Sequence, residues 1–268
     1  MRLKMHGFYD KIVDHLYVEG EPFIDCYDDS AVQDCDTYPE KSIALMIEPR
    51  SIMPRGYDFL TRNDNWKRFK YIFTHDNELL KLPNAKLILC GSVWSWSDVP
   101  KTKFCSLVSS YKEVCELHKL RKVLAYQYEN SGIVDVFGDF KGKDSVPWVD
   151  SSEYLRDYRY SIVIENYIDD YWFTEKICNC FANKVIPIYV GARKIDDYFN
   201  PRGIIDCYGK TFEAKTWVHH LSKDDGKHFY TYSKEGIDDN YNRVKEYDRF
   251  ENWFFRNYGG LLDDIYIE

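Results

Sequence analysis

The residues from Tyr160 to Pro201 constrain the fold more than any other part of the chain. Ser161–Glu165 (SIVIE) is a short apolar run that ends on a carboxylate. Thr174 can cap a helix, because its hydroxyl can accept a bond from an unpaired N–H of the first turn. Ile177, Cys180 and Phe181 then fall at i, i+3 and i+4, the spacing of one buried helical face. Asn183 can take the left-handed conformation that stops a helix, Val185–Val190 (VIPIYV) is the next strand, and Gly191 ends it. In a strand–helix–strand unit the end of the first strand and the start of the helix open onto one crevice. Ligands of open parallel sheets bind there, and anions favour the helix start. The order therefore gathers Glu165, Asn166, Glu175 and Lys176 around one place. Lys176 can neutralise a phosphate, and Glu175 can accept bonds from two hydroxyls of a ribose or hexose. The plain alternative is a solvated Glu-Lys pair on an ordinary helix.

The rest of the chain repeats the alternation of apolar runs with helical or polar stretches. Lys41–Glu48 (KSIALMIE), Tyr71–Thr74 and Lys86–Cys90 predict strands of one small parallel sheet. Asp25–Glu40 is acidic and turn-rich and reads as loop, and Arg55–Asn65 as loop or a helical turn. Trp94-Ser95-Trp96-Ser97 and Val99-Pro100 break the pattern and mark a boundary between a domain over 1–100 and another over 101–268. Phe104–Ser109, Ile133–Phe137 and Ile204–Cys207 predict strands of the second. Tyr111–Tyr128 is helical in composition, with Val114, Leu117, Leu120, Val123 and Leu124 assigned to its buried face. Phe212–Tyr258 reads as two or three helices. Pro187 lies inside VIPIYV and cannot donate to a ladder, which predicts a bulge or an edge position. The fold class expected is α/β, with two Rossmann-like domains.

The stretch ENYIDDYWFTEKI resembles the nucleotide-sugar signature of the family 10 glycosyltransferases, the α1,3/4-fucosyltransferases. The family pattern is roughly F-E-N, seven residues, then T-E-K. Here Glu165-Asn166 is followed by seven residues and then Thr174-Glu175-Lys176. VIPIYVGARKIDDYFNPRGIIDC also resembles the family's strand, glycine turn and Asp/Phe-Pro segment. The resemblance implies a GT-B arrangement, two Rossmann-like domains facing across a cleft, with the donor held by the C-terminal half and the acceptor by the N-terminal half. It implies an inverting transfer of a sugar, fucose from GDP-fucose or another GDP-sugar, to a hydroxyl of a glycan acceptor. The alternative is a nucleotide-sugar or glycan-binding protein without transfer activity.

Such a transfer needs a base for the acceptor hydroxyl and positive charge for the departing diphosphate. The segment from Phe104 to Gly138 resembles the family's second block, and the family's diphosphate-binding Arg falls on Arg121. A guanidinium suits two phosphate oxygens better than an ammonium does. The alternatives are a solvated helix charge, or Lys119 or Lys122 in that role. Glu48 is the candidate base, by resemblance to a family Glu after a similar strand, though here it follows Ile47. Its alternative is a strand-end carboxylate paired with Arg50 or Arg55. Trp172 stands where the family usually has Tyr beside the donor, and Tyr171 can substitute. Asn166, Glu165, Thr174, Glu175 and Lys176 carry over as donor-pocket residues, Glu165 alternatively holding its loop by backbone bonds.

No metal is expected. Asp34-Cys35-Asp36 has the letters of a D-x-D carboxylate pair but follows no apolar run, and His219, His220 and His228 lack ligand spacing. Trp94 and Trp96 could form an acceptor platform, although packing into a core is the commoner use of such rings. A net charge of −8 argues against a nucleic-acid partner, which needs a basic face. No apolar run reaches membrane-spanning length, and the first residues lack the apolar region of a secretory signal. Animal fucosyltransferases carry an anchor and a stem, so the resemblance is to the soluble bacterial or viral kind. The eight cysteines read as buried, reduced thiols of a cytoplasmic protein, against the alternative of a disulfide framework.

Overall fold

The computed structural model describes residues 3–7, 24–36, 39–143, 145–146 and 149–267. The chain divides into two compact units, one formed by Met1–Leu89 with Glu251–Glu268 and the other by Cys90–Phe250. The sequence boundary lay near residue 100 and gave the whole C-terminal end to the second domain. The last helix instead counts with the first unit.

In the first unit, β1 (Leu3–His6), β2 (Ile24–Asp28), β3 (Ser42–Met46), β4 (Tyr71–Thr74) and β5 (Ala85–Leu87) form a sheet in the order β1-β2-β3-β4-β5. Every pair is parallel. The strand β2 lies where the acidic letters suggested loop, and all five of its residues are buried. Its carboxylates are accommodated individually. Asp25 Oδ1 lies 2.7 Å from His6 Nε2, and Asp28 lies so close to Gly7 that a Cβ there would stand 2.0 Å from Asp28 Oδ1. Helix α1 (Pro54–Thr61) replaces the expected loop or turn; Pro54 starts it, where a missing N–H costs nothing. The core gathers Tyr27, Val32, Ala44, Met46, Tyr57, Leu60 and Ile72. Helix α8 (Phe250–Ile267) sets Phe254 and Tyr258 against Phe73, each ring centre 4.9 Å away. This contact is why the helix belongs to the first unit.

The second unit holds β6 (Lys103–Val108), α2 (Glu116–Tyr128), β7 (Val134–Phe137), α3 (Ser151–Leu155), β8 (Tyr158–Ile164), α4 (Glu175–Ala182), β9 (Ile186–Val190), β10 (Ile205–Asp206), α5 (Thr211–Leu221), α6 (Lys227–Tyr232) and α7 (Lys234–Arg243). Its sheet runs β10-β9-β8-β6-β7, all parallel. Pro187 is neither at a bulge nor on an outer strand: the register Tyr160↔Ile186, Ser161↔Pro187, Ile162↔Ile188 is unbroken. On the other side, β10 begins opposite Ile188. Pro187 therefore precedes the start of that ladder, where its lack of an N–H removes nothing. The α4 helix starts after Thr174 as expected, but Asn183 ends it at φ −105° and the left-handed residue is Lys184, at φ +54°.

All eight cysteines are free and buried. Trp94 and Trp96 are 64% and 44% exposed, so neither fills a core. Trp96 packs edge-on against Tyr241. Among the described residues no helix is long and apolar enough to cross a membrane.

Candidate functional site

The strand order of the second unit contains one reversal. After β6 the chain moves outward to β7; after β8 it moves the opposite way to β9 and β10. The segments leaving the carboxyl ends of β6 and β8 therefore diverge and leave a crevice between them, the usual ligand position of an open α/β sheet. In the first unit the described strands follow one another in sequence order with no such reversal.

Two helices open at this crevice, α2 after β6 and α4 after β8. The sequence assigned α2 the wrong inner face. Val114, Leu120 and Val123 are exposed, and the buried residues are His118, Arg121, Leu124 and Ala125. Spacings of three, six and seven from His118 make one stripe. Its C-terminal part, Leu124 and Ala125, joins the core of the second unit. Its N-terminal part is polar, and it meets the loop after β8. Arg121 Nη2 donates to Asn166 Oδ1 at 2.8 Å.

The loop from β8 to α4 is held from within. Glu165 is completely buried. Its carboxylate accepts the Thr174 N–H at 3.0 Å and the Thr174 hydroxyl at 2.8 Å. Gly191 is required beside it, because a Cβ there would lie 2.8 Å from Glu165 Cγ and 2.2 Å from the Tyr189 hydroxyl. Asp169 accepts from the N–H groups of Tyr171 and Trp172 at 2.9 and 2.6 Å. Glu165 thus closes the loop onto its helix, the alternative the sequence left open.

Lys176 stands in the first turn of α4. Its Nζ lies 3.2 Å from Glu175 and 3.5 Å from Glu165. Burial works against its charge, but Glu175 and Glu165 outweigh that and hold its pKa above the ordinary lysine value. Burial pushes the Glu165 carboxyl up, against the opposing pull of Lys176 and Thr174. The pairing helps Lys176 keep its proton more than it helps Glu165 lose one, because only Glu165 is fully enclosed. Arg121 is lowered by burial, with Glu165 and Glu175 opposing, and a guanidinium stays charged at neutral pH. Arg121 and Lys176 feel each other's charge. The crevice thus holds two cations at fixed positions beside two carboxylates and an amide.

Other expected positions fall apart from this cluster. Trp172 is 2% exposed, so its ring belongs to the interior and presents no face for stacking. Tyr171 is half-buried, and its hydroxyl accepts from Lys194 Nζ at 2.9 Å. Glu48 belongs to the first unit and follows the end of β3 by two residues. Its N–H donates to Asp29 Oδ1 at 3.1 Å, and its carbonyl accepts the Tyr57 hydroxyl at 2.7 Å. Asp29 also accepts the Ile47 N–H at 2.9 Å; burial, Asp28 and Glu48 push its carboxyl well up. Arg50 forms a two-pronged pair with Asp76 at 2.9 and 3.1 Å. Sequence reasoning missed His118 and Asp29. A signal for His118 existed: it precedes Arg121 by three residues, on the same helical stripe. No group of three or more metal-ligating side chains occurs among the described residues.

The sequence model of "Glycosyltransferase family 10 (fucosyltransferase) C-term" matches residues 99–234, half of the chain. That span contains Arg121, Asn166 and Lys176 but not Glu48. Among solved structures, an α1,3-fucosyltransferase with GDP is matched over 83% of this chain and 74% of its own, at 15% identity and a TM-score of 0.52. An α1,3-fucosyltransferase without a named ligand matches over the same shares at 15% identity and 0.51. A third, with GDP-fucose, is 24% identical over 50% of this chain, at 0.39, and the chain spans 38% of its length. No curated protein matches in sequence. The two broader likenesses show the α/β, GT-B-type fold of two parallel-sheet units.

Proposed function

Because this chain belongs to glycosyltransferase family 10, the fucosyltransferases, we propose that it moves fucose from GDP-fucose to a hydroxyl of a glycan acceptor with inversion at the anomeric carbon. The observation that carries this reading is the convergence of Arg121, Asn166 and Lys176 at the strand-order reversal. Two cations at one crevice suit a nucleoside diphosphate, and the start of α4 adds its unpaired N–H groups. GDP-fucose is the proposed donor because the family is that of the fucosyltransferases and an α1,3-fucosyltransferase of this fold has been solved with GDP.

In the proposed reaction Arg121 and Lys176 hold the pyrophosphate while the bond from the anomeric carbon to its oxygen breaks. They stabilise the negative charge that collects there. Glu175 accepts from sugar hydroxyls. Glu48 takes the proton of the acceptor hydroxyl as that oxygen attacks the opposite face of the anomeric carbon. Thr174 and Glu165 keep the loop and the helix start in register, and Asn166 holds Arg121. The cations supply what a divalent metal would otherwise supply, so no cofactor is required. Eight free, buried thiols suit a reducing compartment, and the cytoplasm is the proposed location.

The test is calorimetric titration with GDP, GDP-fucose and UDP-sugars, followed by radiolabelled transfer to LacNAc-type acceptors with and without EDTA. Binding of GDP-fucose and EDTA-resistant transfer are expected. Preference for a UDP-sugar would overturn the donor. Tight donor binding without transfer would leave a nucleotide-sugar-binding protein instead, and loss of transfer in EDTA would overturn the metal-independent step.

A further inference from the structure

The segment that follows β3 carries Glu48, and side chains from two other elements of the first unit hold its backbone. Asp29, the residue after β2, takes the N–H groups of Ile47 and Glu48 on Oδ1, at 2.9 and 3.1 Å. Its Oδ2 lies 3.3 Å from the Glu48 nitrogen. Tyr57 of α1 donates its hydroxyl to the Glu48 carbonyl at 2.7 Å. Both main-chain polar groups of Glu48 are therefore engaged, one from each side. Tyr57 is itself fixed. Its hydroxyl lies 3.2 Å from His75 Nε2, and Arg50 stands over its ring, 4.7 Å from the centre, anchored by the pair with Asp76. Asp29, Tyr57 and His75 are buried, whereas Glu48 keeps part of its surface open to solvent.

Finishing a strand does not need this arrangement, because water or a turn can meet the N–H groups beyond it. Asp29 instead adopts φ +40°, a left-handed conformation that a side chain makes unfavourable, and it encloses a carboxyl group. Gly56 lets α1 close on it, since a Cβ there would stand 2.3 Å from the Asp29 carbonyl oxygen. Strain of this kind persists where the surroundings over-determine a position, and it gathers at functional sites. The residue that both clamps share is Glu48. We infer that Asp29 and Tyr57 are positioning residues for the transfer: they lock the main chain on either side of the Glu48 Cα and so fix where its carboxylate meets the acceptor hydroxyl. A base works only within hydrogen-bond reach of the proton it takes, and a displacement of about 1 Å can slow a reaction about a hundredfold. Burial, then Asp28 and Glu48, favour the uncharged Asp29 carboxyl. Asparagine imitates that form and keeps one oxygen for both N–H groups. This inference rests on the reading of Glu48 as the base.

The experiment measures radiolabelled transfer from GDP-fucose to a LacNAc-type acceptor, with calorimetric GDP affinity alongside. The proteins are the wild type, Asp29→Ala, Asp29→Asn, Tyr57→Phe and Glu48→Gln, with Asp29→Ala and Tyr57→Phe each also combined with Glu48→Gln. The expected kcat is about ten- to a hundredfold lower in Asp29→Ala and about tenfold lower in Tyr57→Phe. GDP affinity stays at the wild-type value in both, and Asp29→Asn recovers most of the lost rate. Neither double variant is slower than Glu48→Gln, as residues acting through one another require. Should Asp29→Ala fail to fold, Tyr57→Phe and its double variant decide the matter, because that change leaves the packed ring in place. A normal kcat in a folded Asp29→Ala or in Tyr57→Phe overturns the inference. So does a loss that persists in full in the Glu48→Gln background, a matching loss of GDP affinity, or no recovery in Asp29→Asn. Full activity in Glu48→Gln overturns the base assignment instead, and a wild type without transfer overturns the reaction itself. Both of those failures appear in proteins whose Asp29 and Tyr57 are untouched.

Discussion

Arg121 on α2 and Asn166 after β8 are 45 residues apart and joined by a 2.8 Å hydrogen bond across the reversal in strand order. The bond uses one guanidinium nitrogen and holds the head group against the start of the loop that leads to Lys176. Replacing Arg121 by Ala is expected to weaken GDP binding at least tenfold and up to about a hundredfold, the range for hydrogen bonds to a charged group. Arg121→Lys should recover only part of that loss, since an ammonium cannot keep the planar fork. Calorimetry with GDP and guanosine checks both, and equal losses for the two ligands would count against the diphosphate contact.

Glu48 is tested by separating binding from chemistry. Glu48→Gln keeps the side chain's shape and the backbone bonds to Asp29 and Tyr57 but cannot take a proton. The transfer rate is expected to drop about 10²- to 10⁴-fold, the usual contribution of a general base. GDP affinity should stay as in the wild type. A variant that transfers at the normal rate shows that another group accepts the proton.

His118 gives stability an acid-side dependence whose sign follows from its pKa. The ring's ordinary value is 6.5 and the folded protein lowers it to about 4. Between those values the unfolded chain binds a proton that the folded chain does not. Stability is therefore full above pH 6.5 and falls as the pH drops from 6.5 toward 4, by no more than about 3 kcal/mol. In urea unfolding at pH 7.5 and pH 5, His118→Gln should lose less stability than the wild type over the same interval. Parallel losses in the two proteins would mean that the ring titrates normally.

Trp172 sits in the interior, so its substitution should act on folding before it acts on donor choice. Trp172→Ala is expected to cost about 3–5 kcal/mol, as large-to-small changes of buried aromatics do. Chemical denaturation measures it. A stable variant with altered selectivity among GDP-sugars would place the ring at the donor after all.

The sequence reading succeeded where burial and chain order point the same way. Strands β8 and β9 and the start of α4 were legible because apolar runs, a capping Thr174 and a closing Gly191 agree. The strand β2 was not, because Asp25 and Asp28 make IDCYD resemble a turn. Only their neighbours, His6 and Gly7, show how buried carboxylates are accommodated there. The inner face of α2 was misread for a related reason. Apolar periodicity assumes that a helix turns its oily side inward, whereas this one turns His118 and Arg121 inward at the crevice and leaves Leu120 and Val123 outside. The polar stripe is a mark of the site, and periodicity alone treats it as surface.

The pairing of Phe73 with Phe254 and Tyr258 bears on how the protein is made. A ribosome delivers β4 well before α8, so the first sheet waits through the synthesis of the second unit before its aromatic partner emerges. The first reaches its final packing only once α8 has emerged, and until then it offers an uncovered aromatic surface to chaperones. Removing α8 would make that temporary exposure permanent.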